Sequence, residues 1–234
     1  MVSGPPKAVL FDVGMTLVHA DGEFLVTELS AEGITGLPIE LATAAMVTSF
    51  PARHLPLPRG RDYVDKTGLT LAALLDIPQA EACRALRRVF ARPDLFRLLD
   101  PDAIPALTAL RHAGVRLGVI SNSDGGLDEE LDSYGLLGFF EMVLDSHDIG
   151  TEKPDPKIFE IGLERMGLDG SDCWYVGDNL INDIIGAKAA NFAETVMYDR
   201  FRIYGHIPGT LHIDALSQLT PLVLEGTSVA AGRP

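Results

Sequence analysis

Asp12 closes a short apolar run, Ala8-Val9-Leu10-Phe11, and is followed by Gly14 and Thr16. Three further strand-like runs end in polar groups. Val115 to Ile120 leads into Ser121-Asn122, Met142 to Leu144 leads toward Lys153, and Cys173 to Val176 leads into Gly177-Asp178, with Asp183 completing a GDxxxxD spacing. A carboxylate at the carboxyl end of a strand can attack as a nucleophile or ligate a metal. It can equally cap a turn. Ser121 can donate a hydrogen bond or cap the helix after it, and Lys153, taken in isolation, reads as a solvated surface lysine. Asp178 and Asp183 can face one Mg²⁺, a cation that takes oxygen ligands, although an aspartate near a helix start also serves as a cap or dipole partner. Asn179 and Asn182 could support that pair.

These residues need a frame that brings them together. From Asp100 onward helical and strand patterns alternate: helices over 101–112, 124–134, 155–166 and 181–190, strands over 115–120, 142–144, 173–176 and 195–198. Such alternation predicts a doubly wound α/β fold with a parallel sheet, which places ligands at the carboxyl ends of its strands. Between His19 and Leu99 no strand pattern stands out. Helices are expected over 23–32, 38–50, 62–75 and 78–90, with a Pro-rich loop at 51–61. The gap from Asp12 to Ser121 is far longer than a crossover needs. An inserted, all-helical domain over 19–99 is therefore expected, with the α/β core formed by 1–18 and 100–234. The tail after Ile213 ends in an Ala/Gly/Ser/Pro-rich stretch expected to fray.

Nineteen basic against 33 acidic residues give a formal charge of −14, which argues against a nucleic-acid partner. An anionic substrate stays open, because a metal can supply positive charge locally. Cys83 and Cys173 lack metal-ligand spacing and read as free thiols in a reducing compartment. The N-terminus MVSGPPK has no apolar core of a signal peptide, and no run reaches membrane-spanning length. A cytoplasmic protein without a membrane partner is expected; the oligomeric state is open.

Four motifs, FDVGMT, VISNSD, EKPDPKIF and VGDNLINDIIGA, stand in the order and with the spacing of the haloacid dehalogenase-like hydrolase superfamily, which the chain resembles. The resemblance implies a Rossmann-like core and reads the insert as a helical cap. It implies a Mg²⁺-dependent phosphatase of a small phosphorylated metabolite, working through an aspartyl phosphate on Asp12. Asp12 and Lys153 would be catalytic, and Ser121, Asn122 and Lys153 would hold the phosphate. Asp12, the Gly14 carbonyl, Asp178 and Asp183 would hold the metal. Phosphoryl transfer needs such an in-line nucleophile, positive charge and metal.

One position departs from the pattern. Most phosphatases of this kind carry a second aspartate, the acid and base for the leaving group and water, where this chain has Gly14. Two alternatives follow: a dehalogenase- or phosphonatase-like hydrolase acting at carbon, or a catalytically impaired member that binds phosphate or a partner. The basic residues Arg53, His54, Arg59, Arg61 and Lys66 are candidates for substrate selection, or simply a solvated loop.

Overall fold

The computed structural model describes residues 5–54, 56 and 62–225. In chain order the strands are β1 (Ala8–Phe11), β2 (Val18–Ala20), β3 (Phe96–Leu99), β4 (Arg116–Ser121), β5 (Met142–Asp145), β6 (Cys173–Gly177), β7 (Glu194–Tyr198) and β8 (Leu211–Ile213). The helices are α1 (Gly22–Ala31), α2 (Ile39–Ser49), α3 (Tyr63–Leu75), α4 (Gln79–Phe90), α5 (Ala103–His112), α6 (Leu127–Ser133), α7 (Ser146–Ile149), α8 (Pro156–Met166), α9 (Gly186–Ala189) and α10 (Leu219–Glu225). The chain divides into two compact units, Met1–Leu17 with Leu99–Pro234, and Val18–Leu98.

The first unit is built on a six-stranded sheet in the order β5-β4-β1-β6-β7-β8, parallel throughout. Every residue of β1 and β6 is buried, the unbroken apolar signature of a strand covered on both faces. On one face Ile158, Phe159, Leu163 and Met166 of α8 pack with Leu10, Ile120, Leu144 and Tyr175. Gly162 lets α8 approach closely, since a Cβ there would stand 2.7 Å from the Ile120 side chain. Asp155 caps α8, its carboxylate accepting from the Lys157 amide at 2.9 Å, with Pro156 at the first helical position and Gly167 in the left-handed stop.

The second unit carries α1 to α4. The buried face of α4 is Ala82, Ala85, Leu86 and Val89, while Arg84, Arg87 and Arg88 on its exposed side pair with Glu32, Glu81, Asp62, Asp65 and Glu28. Exposed pairs of this kind are screened by solvent and add little, so burial holds the helix in place. No helix among the described residues is long and apolar enough to cross a membrane.

The structure corrects the sequence reading at three points. The insert is not all-helical, because β2 and β3 pair as a two-stranded sheet where the chain enters and leaves it. Strands of three and four residues show too few alternations to register as a pattern. Helix α6 begins at Leu127 rather than Asp124, because Gly125 and Gly126 take φ of +106° and +79°. The stretch expected as one helix over 181–190 is a π-helical turn, Leu180–Ile185, followed by α9. The C-terminal region stays ordered past Ile213 through α10; residues 226–234, on which the frayed tail falls, lie outside the described residues.

Candidate active site

Parallel register carries the motif residues to one edge. Phe11 pairs with Val119 of β4 on one side and Val176 of β6 on the other, so Asp12 emerges between Ser121 and Asp178. The Asp12 amide donates to the Val176 carbonyl at 2.9 Å, which extends the ladder by one residue and fixes the backbone under the carboxylate. Asp12 itself is 7% exposed.

Lys153 is the hub. Its ammonium, on a side chain only 2% exposed, donates to Asp12 Oδ1 at 2.6 Å, to Asp183 Oδ1 at 2.6 Å and to the Tyr175 hydroxyl at 3.0 Å. Those three bonds use all three ammonium protons. Burial pulls toward the neutral amine, but the charges of Asp12 and Asp183 outweigh it and hold the ammonium well above its usual range. The Asn122 side chain fixes the lysine's backbone from both directions, donating to the Lys153 carbonyl at 2.9 Å and accepting from the Lys153 amide at 2.8 Å. Its side-chain amide group is thus engaged with main chain. The Ser121 hydroxyl donates to Asp12 Oδ1 at 3.1 Å.

Asp183 sits in the π-helical turn, an irregularity frequent at functional sites. Asn179 caps the turn, accepting from the amides of Ile181 and Asn182 at 3.0 Å each, and its own amide donates to Asp183 Oδ2 at 2.9 Å. Carboxylate oxygens of Asp12, Asp178 and Asp183 all lie within 4.8 Å of one another. Burial, then the charges of Asp183 and Asp12, push the Asp178 carboxyl well up, and burial pushes Asp183 up to about 6 even against the pull of Lys153. Three hard oxygen donors this close repel one another unless a cation or protons intervene, so the set fits a divalent ion such as Mg²⁺.

Two groups at this edge escaped the sequence reading. Tyr175 stands three positions before Asp178, the one signal the sequence holds, and its side chain packs toward α8. Glu130 of α6 is half-buried, and burial first, then the charges of Asp12 and Asp145, raise its carboxyl. Among the candidates for substrate selection, Arg53 and His54 end a 3₁₀ turn (Phe50–His54), Arg53 lies over the Tyr63 ring at 5.6 Å, and Lys66 of α3 donates to the Arg53 carbonyl at 3.2 Å. Arg59 and Arg61 lie outside the described residues.

A buried lysine bridging a strand-end aspartate to a carboxylate cluster, on a parallel sheet of this order, defines a hydrolase of the haloacid dehalogenase type. The chain belongs to the haloacid dehalogenase-like hydrolase family, whose model matches residues 6–191. A glyceraldehyde 3-phosphate phosphatase of Methanothermobacter thermautotrophicus is 31% identical over 196 residues, 80% of this chain and 83% of that one. One from Methanopyrus kandleri is 42% identical over 91 residues, spanning 38% of this chain and 39% of that one. The crystal structure of a HAD phosphatase from Thermococcus onnurineus superposes with a TM-score of 0.58 at 27% identity, covering 92% of this chain and 97% of that one.

Proposed function

We propose that this chain is a Mg²⁺-dependent phosphoric monoester hydrolase acting on a small phosphorylated metabolite. The observation that carries the reading is Lys153, which joins Asp12 to Asp183 through two 2.6 Å bonds beside three converging carboxylates. Relatives named as phosphatases of glyceraldehyde 3-phosphate support a phosphate ester as substrate and make triose phosphates the first class to test.

In this reading Asp12 is the nucleophile. Both of its side-chain hydrogen bonds among the described residues, from Ser121 and Lys153, fall on Oδ1, which leaves Oδ2 to attack phosphorus; the ester P–O bond breaks, the alcohol leaves, and water then cleaves the aspartyl phosphate to return Asp12 and release inorganic phosphate. Lys153 steadies the carboxylate through its 2.6 Å bond and places positive charge where the equatorial oxygens gather charge. Ser121 turns its hydroxyl from Asp12 to a phosphoryl oxygen. Asp12, Asp178 and Asp183, with the Gly14 carbonyl, would hold Mg²⁺, which when bound supplies Lewis-acid neutralisation of the phosphoryl charge. Gly14 offers no side chain to protonate a leaving group, a function typically worth about 10²–10⁴-fold in rate. Substrate selection falls, by family resemblance, to the helical unit acting as a cap, with Arg53, His54, Arg59, Arg61 and Lys66 as the candidate residues. Cys83 and Cys173, which lack metal-ligand spacing, fit a reducing compartment such as the cytoplasm.

The test is turnover of p-nitrophenyl phosphate, acetyl phosphate and a panel of triose and sugar phosphates, with and without Mg²⁺. Metal-dependent turnover abolished by Asp12→Asn is expected. Metal binding without turnover of any ester would instead assign the chain to phosphate or partner binding.

A further inference from the structure

Tyr175 is wholly buried, and its hydroxyl is spent inside the lysine hub. Its ring needs no oxygen. Phe159 and Phe192 pack edge-on against it at 5.0 and 5.6 Å between centroids, contacts that phenylalanine would make as well. A buried hydroxyl costs free energy unless it is paired. Here it is paired twice: the oxygen accepts from Lys153 Nζ at 3.0 Å, and the proton goes to the Ile120 carbonyl at 2.8 Å. The Asp183 Oδ1 atom, 3.5 Å away, is left to the lysine.

The placement has a consequence for geometry. Strands β4 and β6 flank β1, and Ile120 is the residue before Ser121. The hydroxyl of Tyr175 therefore ties the Lys153 ammonium on one side to the strand that carries Ser121. An ammonium on a flexible four-carbon stem can rotate among acceptors. With the third acceptor fixed by two rigid strands, the remaining two protons are directed at Asp12 and Asp183 together.

We infer that Tyr175 is a positioning residue for Lys153: its hydroxyl, anchored on the Ile120 carbonyl, sets the orientation in which the ammonium bridges the nucleophile and the metal-binding turn. The inference rests on the phosphatase reading only for its kinetic arm. Without the hydroxyl, the third ammonium proton is unpaired in a buried site, and the lysine reorients or draws in water.

The variant is Tyr175→Phe, which keeps the ring packing. With p-nitrophenyl phosphate and Mg²⁺, kcat should fall about tenfold, the scale of a lost hydrogen bond to a charged group, with KM unchanged, while Tm falls because buried polar groups lose their partner. In a Lys153→Ala background the same substitution should change neither residual rate nor KM, because Tyr175 acts through the lysine. An unaltered kcat in the single variant, or an equal tenfold loss in the Lys153→Ala background, would overturn the inference. A second readout is independent of turnover. The Lys153 ammonium resonance in ¹H–¹⁵N spectra should shift and exchange faster with solvent in Tyr175→Phe. An unchanged signal would overturn the inference even if the wild type hydrolyses nothing, whereas absent wild-type turnover would by itself end only the phosphatase reading.

Discussion

A methyl group at position 177 would stand 2.4 Å from the carboxyl carbon of Asp183. Gly177 closes β6 and Asp183 lies one turn beyond, so the glycine is the space into which the carboxylate folds back toward Lys153. Gly177→Ala forces Asp183 outward and breaks its bond to the lysine. The expected result is a roughly 10- to 100-fold weaker apparent Mg²⁺ affinity, the usual scale for disturbing a ligand's support. A Mg²⁺ titration of activity checks it, and an unchanged midpoint would refute the role given to Gly177.

The carboxylate set makes a stability prediction with a definite sign. In an unfolded chain Asp titrates near about 3.9, whereas Asp183 in the metal-free fold is pushed up to about 6 and Asp178 moves in the same direction. The folded state therefore binds more protons across that window, and its stability falls as pH rises through it. Metal-free protein should lose Tm between pH 4 and pH 6 from these groups, and saturating Mg²⁺ should restore it. Asp178→Asn removes a repelling charge, so it should raise Tm in EDTA while abolishing the Mg²⁺-induced increase. Thermal melts with and without EDTA decide both points.

Gly14 predicts a split between ester classes. Aryl and acyl phosphates leave without a proton and should turn over, while alkyl phosphates should be slower by about 10²-fold or more, the reach of a missing general acid. Gly14→Asp should narrow the gap by accelerating the alkyl esters. Glu130→Gln is the companion measurement: a wider gap assigns the proton to that half-buried carboxyl, and no change assigns it to water.

The basic residues of the helical unit predict a KM effect. Replacing Arg53, Arg59, Arg61 and Lys66 singly by Ala should raise KM for a substrate with a second anionic group, with p-nitrophenyl phosphate unaffected. Unchanged constants for every variant and substrate would remove these residues from substrate selection.

The sheet was legible in the sequence because β1, β4 and β6 are buried on both faces, and a strand in that setting reads as unbroken apolar residues ending in a polar one. Asp12, Ser121 and Asp178 followed from those endings. The strands β2, β3 and β8 did not, being three or four residues long and partly exposed in the case of β3 and β8. Helical periodicity over 181–190 concealed the π-helical turn, because one widened turn keeps apolar residues at nearly the same spacing. The role of Asn122 was hidden for a different reason. Its partner is the main chain of Lys153, and no pattern of side-chain types reports a bond to backbone. Tyr175 escaped because an aromatic residue in a buried strand is ordinary until its hydroxyl is located.

The central strand of the sheet is also the first one synthesised. β1 is complete by Phe11, yet its neighbours are β4 and β6, and the Lys7–Asp172 ion pair beside β6 closes a separation of 165 residues. At a ribosomal rate of about 5–20 residues per second, Ala8 to Phe11 wait roughly ten to thirty seconds before both edges can pair. During that interval the α1–α4 segment, whose contacts are nearer in sequence, can fold and draw the ends of the long connection together. For this architecture, then, the strand that bears the nucleophile is the one most dependent on chaperoned or delayed pairing, and aggregation of nascent chains should be governed by β1 rather than by the edges of the finished sheet.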